Sequence, residues 1–258
     1  MRHLLLFPLL ALLSCSSMKA PVETGFLSRS ITVEGRRYPY VVYIPPGYDR
    51  SRAWPVILFL HGAGERGDDG QKQTHVGIGA QIRANPASIP AIVVFPQVPA
   101  DERWLASPAD AAMAALDRTM AEYRADPARI YLTGLSMGGY GAWHLALAHP
   151  DRFAAAVVIC GGLIKHATAA SVRQSPLTIE HGDPYAFTAQ ALARMPIWMF
   201  HGDADTVIPV DESRIMAEAL EAAGATFHYT EYAGVGHDSW DRAYAEPELW
   251  NWLFAQHR

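Results

Sequence analysis

Short, uninterrupted apolar runs recur along the chain, and most of them show no alternation. "WPVILFLHG" (54–62), "AIVVFPQ" (91–97), "RIYLTGLS" (129–136), "FAAAVVICGG" (153–162) and "PIWMFHGD" (196–203) are rich in β-branched residues and lack a polar face. A strand covered on one side only would alternate, so these runs predict strands buried on both faces, as in a parallel sheet. "RYPYVVYIP", Arg37 to Pro45, does alternate and predicts an early antiparallel strand. "ATFHYTEYAG", Ala225 to Gly234, is a further strand candidate.

Amphipathic stretches fill the gaps. "SPADAAMAALDRTMAEY" predicts a helix with Ser107 as its cap and Pro108 at the first helical position, where a missing N–H costs nothing. "GGYGAWHLALAHP" ends at a proline, "DESRIMAEALEAAG" opens with acids and stops at Gly224, and "EPELWNWLFAQHR" closes the chain. Strands and helices alternating in this order predict a doubly wound, mostly parallel α/β sheet with helices on both faces. Such sheets hold ligands beyond the carboxyl ends of their strands.

Composition narrows the picture. A chain of 258 residues, 50% hydrophobic and 18% charged, suits one domain with a large core. A formal charge of -5 with no basic stripe excludes a nucleic-acid partner. The first residues differ in kind. "MRHLLLFPLLALLSCSS" has a short basic start and an apolar run too short for a permanent span, which predicts a secretory signal peptide. Leu12-Leu13-Ser14-Cys15 has the form of a bacterial lipobox. The expected plan is therefore a signal over 1–15 with Cys15 as lipid anchor, a tether over 16–28 and the folded domain over 29–258. Such a protein is exported, periplasmic or on the outer membrane, and meets the membrane only through its lipid. Ordinary cleavage near Ser17 or Ala20, giving a soluble secreted protein, is the alternative. Cys160 in "AAAVVICGG" then has no intramolecular partner and reads as a small buried hydrophobe.

Polar residues gather where the predicted strands end. "LTGLSMGG" puts Ser136 on a sharp strand-to-helix turn, with Gly134, Gly138 and Gly139 leaving room for a strained backbone. The G-x-S-x-G pattern alone arises by chance in roughly one chain in ten of this length, so the case rests on its companions. "MFHGDADTVIPV" offers Asp203 and Asp205 after a late strand. Asp205 fits an H-G-x-x-D-x-x-V/I-P pattern, while Asp203 suits the turn itself. Asp183, in an earlier "HGD", sits in what reads as a surface insertion over 165–190. "YAGVGHDSW" places His237 in a glycine-rich loop after the last predicted strand.

The order Ser136, Asp205, His237 is that of a nucleophile, an orienting acid and a base on such a sheet. A serine hydroxyl is a weak nucleophile until an adjacent imidazole takes its proton, and the carboxylate fixes the imidazole's tautomer. The oxyanion formed by attack would meet the N–H of Met137 and, from "HGAGERGDDG", that of Ala63, with Gly64 in reserve. No H-E-x-x-H, Cys/His cluster, P-loop or G-x-G-x-x-G supports a metal or a nucleotide, so no cofactor is expected.

The segments "YIPPGYDRSRAWPVILFLHGAGERGDD", "GLSMGGYGAW", "HGDADTVIPV" and "YTEYAGVGHDSW" resemble secreted α/β-hydrolase serine esterases. The resemblance is to the carboxylesterase/phospholipase-like, dienelactone-hydrolase-like and "predicted peptidase" branch. That branch lies near the feruloyl and acetylxylan esterases and the polyhydroxybutyrate depolymerase-like lipoproteins. The resemblance covers the chain from about Arg29 onward. It implies the α/β-hydrolase fold, Ser136 as nucleophile, Asp205 as acid, His237 as base and an oxyanion hole after His61-Gly62. It also implies hydrolysis of a small or polysaccharide-linked ester, short-acyl or hydroxycinnamoyl, through an acyl-enzyme. Peptidase, lysophospholipase and polyester depolymerase are alternatives on the same triad, and a non-catalytic binding module is the alternative of another class. Trp104, Gln97, Trp240 and Glu65 are expected around the substrate, with Trp240 equally able to pack under the His237 loop. Trp143 is expected in the core.

Overall fold

The computed structural model describes residues 22–164, 174–179 and 181–258. The expected signal peptide and Cys15 lie outside them. Eight strands form one sheet: β1 (Gly25–Val33), β2 (Arg36–Ile44), β3 (Trp54–Leu60), β4 (Ile92–Pro96), β5 (Ala125–Leu135), β6 (Ala155–Ile159), β7 (Ile197–Gly202) and β8 (Phe227–Tyr232). Their order is β1-β2-β4-β3-β5-β6-β7-β8. β2 pairs antiparallel with β1 and β4, and the remaining neighbours are parallel.

The helices are α1 (Ile78–Ala84), α2 (Ser107–Glu122), α3 (Met137–Ala148), α4 (Pro176–Ile179), α5 (Pro184–Leu192), α6 (Asp211–Ala222), α7 (Ser239–Ala243) and α8 (Pro247–Ala255). Successive side chains leave a strand on opposite sides. Val56, Leu58 and Leu60 of β3 therefore join one apolar layer, with residues of α2, α3, α5 and α6. Ile57 and Phe59 join the other, with residues of α1, α7 and α8. Both faces are covered, which is why the strand sequences carry no polar face. This is the doubly wound, mostly parallel sheet that the hydrophobic pattern predicts.

Two boundaries differ from the sequence reading. β1 begins at Gly25, inside the stretch expected to be a tether, and pairs along its length with β2. Glu34 and Gly35, with φ of 50° and 78°, form the two-residue turn between them, the conformation a tight hairpin requires. Helix α2 starts at Ser107 itself, so Ser107 is not its cap: the flanking residue is Ala106, with φ 49°. The Ser107 hydroxyl instead donates to Glu34 Oε2 at 2.6 Å, joining the helix start to the hairpin turn.

Candidate active site

Strand β5 runs straight into helix α3, and the residue between them is Ser136, at φ 53° and ψ -121°. A non-glycine residue rarely occupies this region, and holding it there costs on the order of 1–3 kcal/mol. The neighbours enforce it. Ser136 N–H donates to the Ile159 carbonyl at 2.9 Å, and the Ser136 carbonyl accepts from Gly139 N–H at 2.8 Å. The turn is also too tight for side chains beside it. A Cβ on Gly138 would overlap the Leu60 carbonyl oxygen, and one on Gly134 would overlap that of Gly138. The glycines of "LTGLSMGG" thus let α3 start directly on the sheet with the serine lifted clear.

Ser136 Oγ lies 2.9 Å from His237 Nε2, and His237 Nδ1 lies 2.7 Å from Asp205 Oδ2. The ionised carboxylate has no proton to give, so Nδ1 carries the hydrogen and Nε2 is free to accept one from the serine. Asp205 is saturated. Its Oδ1 accepts from the N–H groups of Val207 and Ile208 at 2.8 and 2.9 Å, while its Oδ2 accepts from His237 and from His201 Nε2 at 3.2 Å. Burial pushes this carboxyl up, but the hydrogen bonds from His201, His237 and Ile208 outweigh it and hold Asp205 well below the ordinary carboxylate range. Asp203 accepts from Gly234 N–H at 2.6 Å and so ties the acid loop to the His237 loop. Asp183 caps α5, accepting from the N–H groups of Tyr185 and Ala186.

The loop after β3 abuts the serine from the other side. A Cβ on Gly62 would stand 3.1 Å from Glu65 Oε2 and 3.6 Å from Ser136 Cβ, so Ala63, the next residue, opens its turn beside the nucleophile. Met137 opens α3 immediately after Ser136. Glu65 is half-buried here, and burial raises its carboxyl above its ordinary value while the N–H groups of Glu65 and Gly62 oppose the rise. His61 anchors this loop. Its Nε2 accepts from Val98 N–H at 3.0 Å and its Nδ1 faces the Gly62 carbonyl at 2.6 Å, which makes Nδ1 the protonated nitrogen.

Two expected substrate contacts prove to be scaffold. Trp104 is 2% exposed; its Nε1–H donates to the His61 carbonyl at 2.9 Å and its ring packs edge-on to the His61 ring. Gln97 is 1% exposed, donating to the Glu65 carbonyl and accepting from Gly70 N–H. Both are buried and hold the Gly62–Gly70 loop from beneath. Trp240 packs edge-on against His237, with ring centroids 5.3 Å apart, the packing role foreseen as its alternative. Trp143 lies in the core.

Sequence reading assigned no role to His201, which is fully buried against Asp205. Its signal was the four-residue spacing of H-G-x-x-D. Cys160 is also placed behind the serine, at φ 40°, and burial pushes its thiol far up. Cys160, Asp205 and His237 offer one ligand atom each within 4.8 Å of one another. The Asp205 and His237 atoms are already engaged in the hydrogen bonds above, and burial keeps the Cys160 thiol protonated.

A family model described as "Putative esterase" matches residues 31–256. "Putative esterase NocK" of Nocardia uniformis subsp. tsuyamanensis is 29% identical over 197 residues, covering 71% of this chain and 50% of that protein. "Probable feruloyl esterase C" of Aspergillus terreus is 27% identical over 190 residues, covering 72% of this chain and 60% of that protein. The chain thus spans half of the first of these relatives and three fifths of the second. A solved structure described as a thermostable esterase superposes with a TM-score of 0.76 at 33% identity, over 90% of this chain and 63% of its own. The S-formylglutathione hydrolase FrmB of Staphylococcus aureus shares the fold, with a TM-score of 0.69 at 17% identity, over 90% of this chain and 99% of its own.

Proposed function

The chain belongs to the esterase family whose model spans residues 31–256, and on that premise we propose that it is a serine carboxylic-ester hydrolase working through Ser136, His237 and Asp205. The observation that carries the reading is the continuous run Ser136 Oγ, His237, Asp205 Oδ2, with links of 2.9 and 2.7 Å. His237 Nε2 takes the hydroxyl proton as Ser136 Oγ attacks the ester carbonyl carbon. Asp205 stabilises the imidazolium that forms. The N–H groups of Met137 and Ala63 receive the oxyanion. Collapse expels the alcohol with the proton from His237 and leaves an acyl-serine, and water repeats the sequence to free the acid.

The substrates are small or polysaccharide-linked esters with a short or hydroxycinnamoyl acyl group. The similarity to a relative named as a feruloyl esterase supports this class. The half-buried Glu65 carboxyl beside the nucleophile favours an acyl or alcohol part without a carboxylate of its own. The N-terminal reading, export with lipidation at Cys15, is separable: Cys15→Ser is expected to release the protein from the membrane fraction.

A fluorophosphonate probe tests the chemistry. Wild type is expected to label and Ser136→Ala is not, with hydrolysis of p-nitrophenyl acetate falling by about 10⁴-fold or more. Equal labelling of the two would overturn the nucleophile. A panel of p-nitrophenyl esters of increasing length, with methyl ferulate and acetylated sugars, identifies the acyl group. Preference for long chains would overturn the short-acyl reading.

A further inference from the structure

His201 is the penultimate residue of β7, and Gly202 leads from it into the acid loop. Its ring is 0% exposed, as is the side chain of Asp205. Nε2 faces two acceptors, Asp205 Oδ2 at 3.2 Å and the Ile208 carbonyl at 3.0 Å. Neither can donate, so Nε2 carries a hydrogen shared between them. Nδ1 lies 2.8 Å from Ser213 Oγ in the first turn of α6. One imidazole thus joins the strand, both ends of the acid loop and the following helix. It does so at the same carboxylate oxygen that His237 uses.

We infer that His201 is a positioning residue of the relay: its Nε2–H holds Asp205 Oδ2 in place and, by competing with His237 for that oxygen, sets the pH at which the relay becomes active. A carboxylate oxygen already accepting one N–H carries less negative charge to offer the next. Removing the His201 donor leaves Oδ2 to His237 alone and strengthens the imidazolium. The relay then needs a higher pH to obtain a neutral base. The other titratable groups facing this pair are Cys160 and Tyr140, both kept protonated by burial, and Glu231, across from His201 on β8 and held by Arg214 and Tyr229. The Tyr140 hydroxyl donates to the Ile164 carbonyl, and none of the three donates to Asp205.

This inference rests on the proposed triad. The test compares the pH profile of kcat/KM for p-nitrophenyl acetate in wild type, His201→Phe and His201→Gln, with folding followed by circular dichroism. In His201→Phe the acidic limb is expected to move up by roughly half a unit or more. Its kcat/KM at the plateau is expected to fall about tenfold or more. His201→Gln, whose amide returns an N–H near the Nε2 position, is expected to restore the wild-type limb. The low-field proton resonance of His237 Nδ1 is expected to shift in His201→Phe and return in His201→Gln, a readout that needs no substrate. A folded His201→Phe whose acidic limb and resonance both match wild type overturns the inference, however much activity is lost. If His201→Phe does not fold, Ser213→Ala decides. It leaves the donor but removes the group behind it, and a smaller shift in the same direction is expected; no shift overturns the inference. Absence of ester turnover in wild type would instead defeat the triad reading and is distinguishable from both.

Discussion

Asp205 accepts four hydrogen bonds, two at each oxygen, while Asp203, two residues earlier, accepts one from Gly234 at the surface. Asparagine at 205 offers an N–H where His237 or the backbone needs an acceptor, so Asp205→Asn is expected to lower kcat by about 10⁴-fold. Asp203→Asn keeps an acceptor for Gly234 and is expected to change kcat no more than about twofold. Steady-state kinetics of the two variants checks the ranking, and the reverse order would move the acid to Asp203. At this scale the sequence was readable where chemistry dictates spacing and order: Ser136, Asp205 and His237 each sit just past a strand. It was unreadable where a residue type serves two purposes. Trp104 and Gln97 are as plausible in a pocket as beneath a loop, and only the neighbours around their polar atoms distinguish the two. His201 was hidden for the same reason, since a histidine before a glycine has no chemistry until something faces its ring.

Of the three H-G pairs in the sequence, those at His61-Gly62 and His201-Gly202 do one job at the ends of two strands. In each the histidine is buried with both ring nitrogens engaged, and the glycine admits a close approach: the Leu135 side chain beside Gly62, and the Val235 carbonyl across Gly202. The same economy of space governs the meeting of α3 with β3. Gly138→Ala sets a methyl group against the Leu60 carbonyl, backbone against backbone, where neither side can yield cheaply. It is expected to destabilise the fold by about 3 kcal/mol and to reduce fluorophosphonate labelling of the remaining folded protein. Urea denaturation measures the first, and a loss under about 1 kcal/mol would show that the elbow can relax. The elements themselves were legible from apolar runs. β1 was not, because an edge strand exposed on alternate residues, "GFLSRSITV", has the polarity of a tether and becomes a strand only by pairing with β2.

Stability of the whole molecule should follow pH through groups buried in one protonation state. Burial, with help from Arg66, brings His61 down from 6.5 to about 4. Between those values the unfolded chain binds a proton that the folded one refuses. Stability is therefore full above 6.5 and declines as pH falls toward 4, by about 3 kcal/mol from this group. Asp205, held low by its donors, adds a second loss as pH falls through the carboxylate range. Glu65, pushed up by burial, works in the opposite sense, because the folded state takes its proton first. The expected Tm is flat above about pH 7 and falls steadily below about 6.5, with a shallower fall in His61→Gln. Calorimetry across pH 4.5 to 8 checks this, and equal slopes in the two proteins would remove His61 as the cause.

The amino-acid sequence by itself determined the sheet's character and the order of the candidate nucleophile, acid and base. Burial on both faces dictates continuous apolar strands, and local turn chemistry dictates glycines around a strained serine. What only the tertiary structure decided is which polar groups face one another: His201 and His237 on one oxygen of Asp205, Trp104 on the His61 carbonyl, Ser107 on Glu34. These contacts join residues brought together by the crossing of loops from different strands. A hydrogen bond depends on distance and angle in space, which the chain's local pattern does not encode.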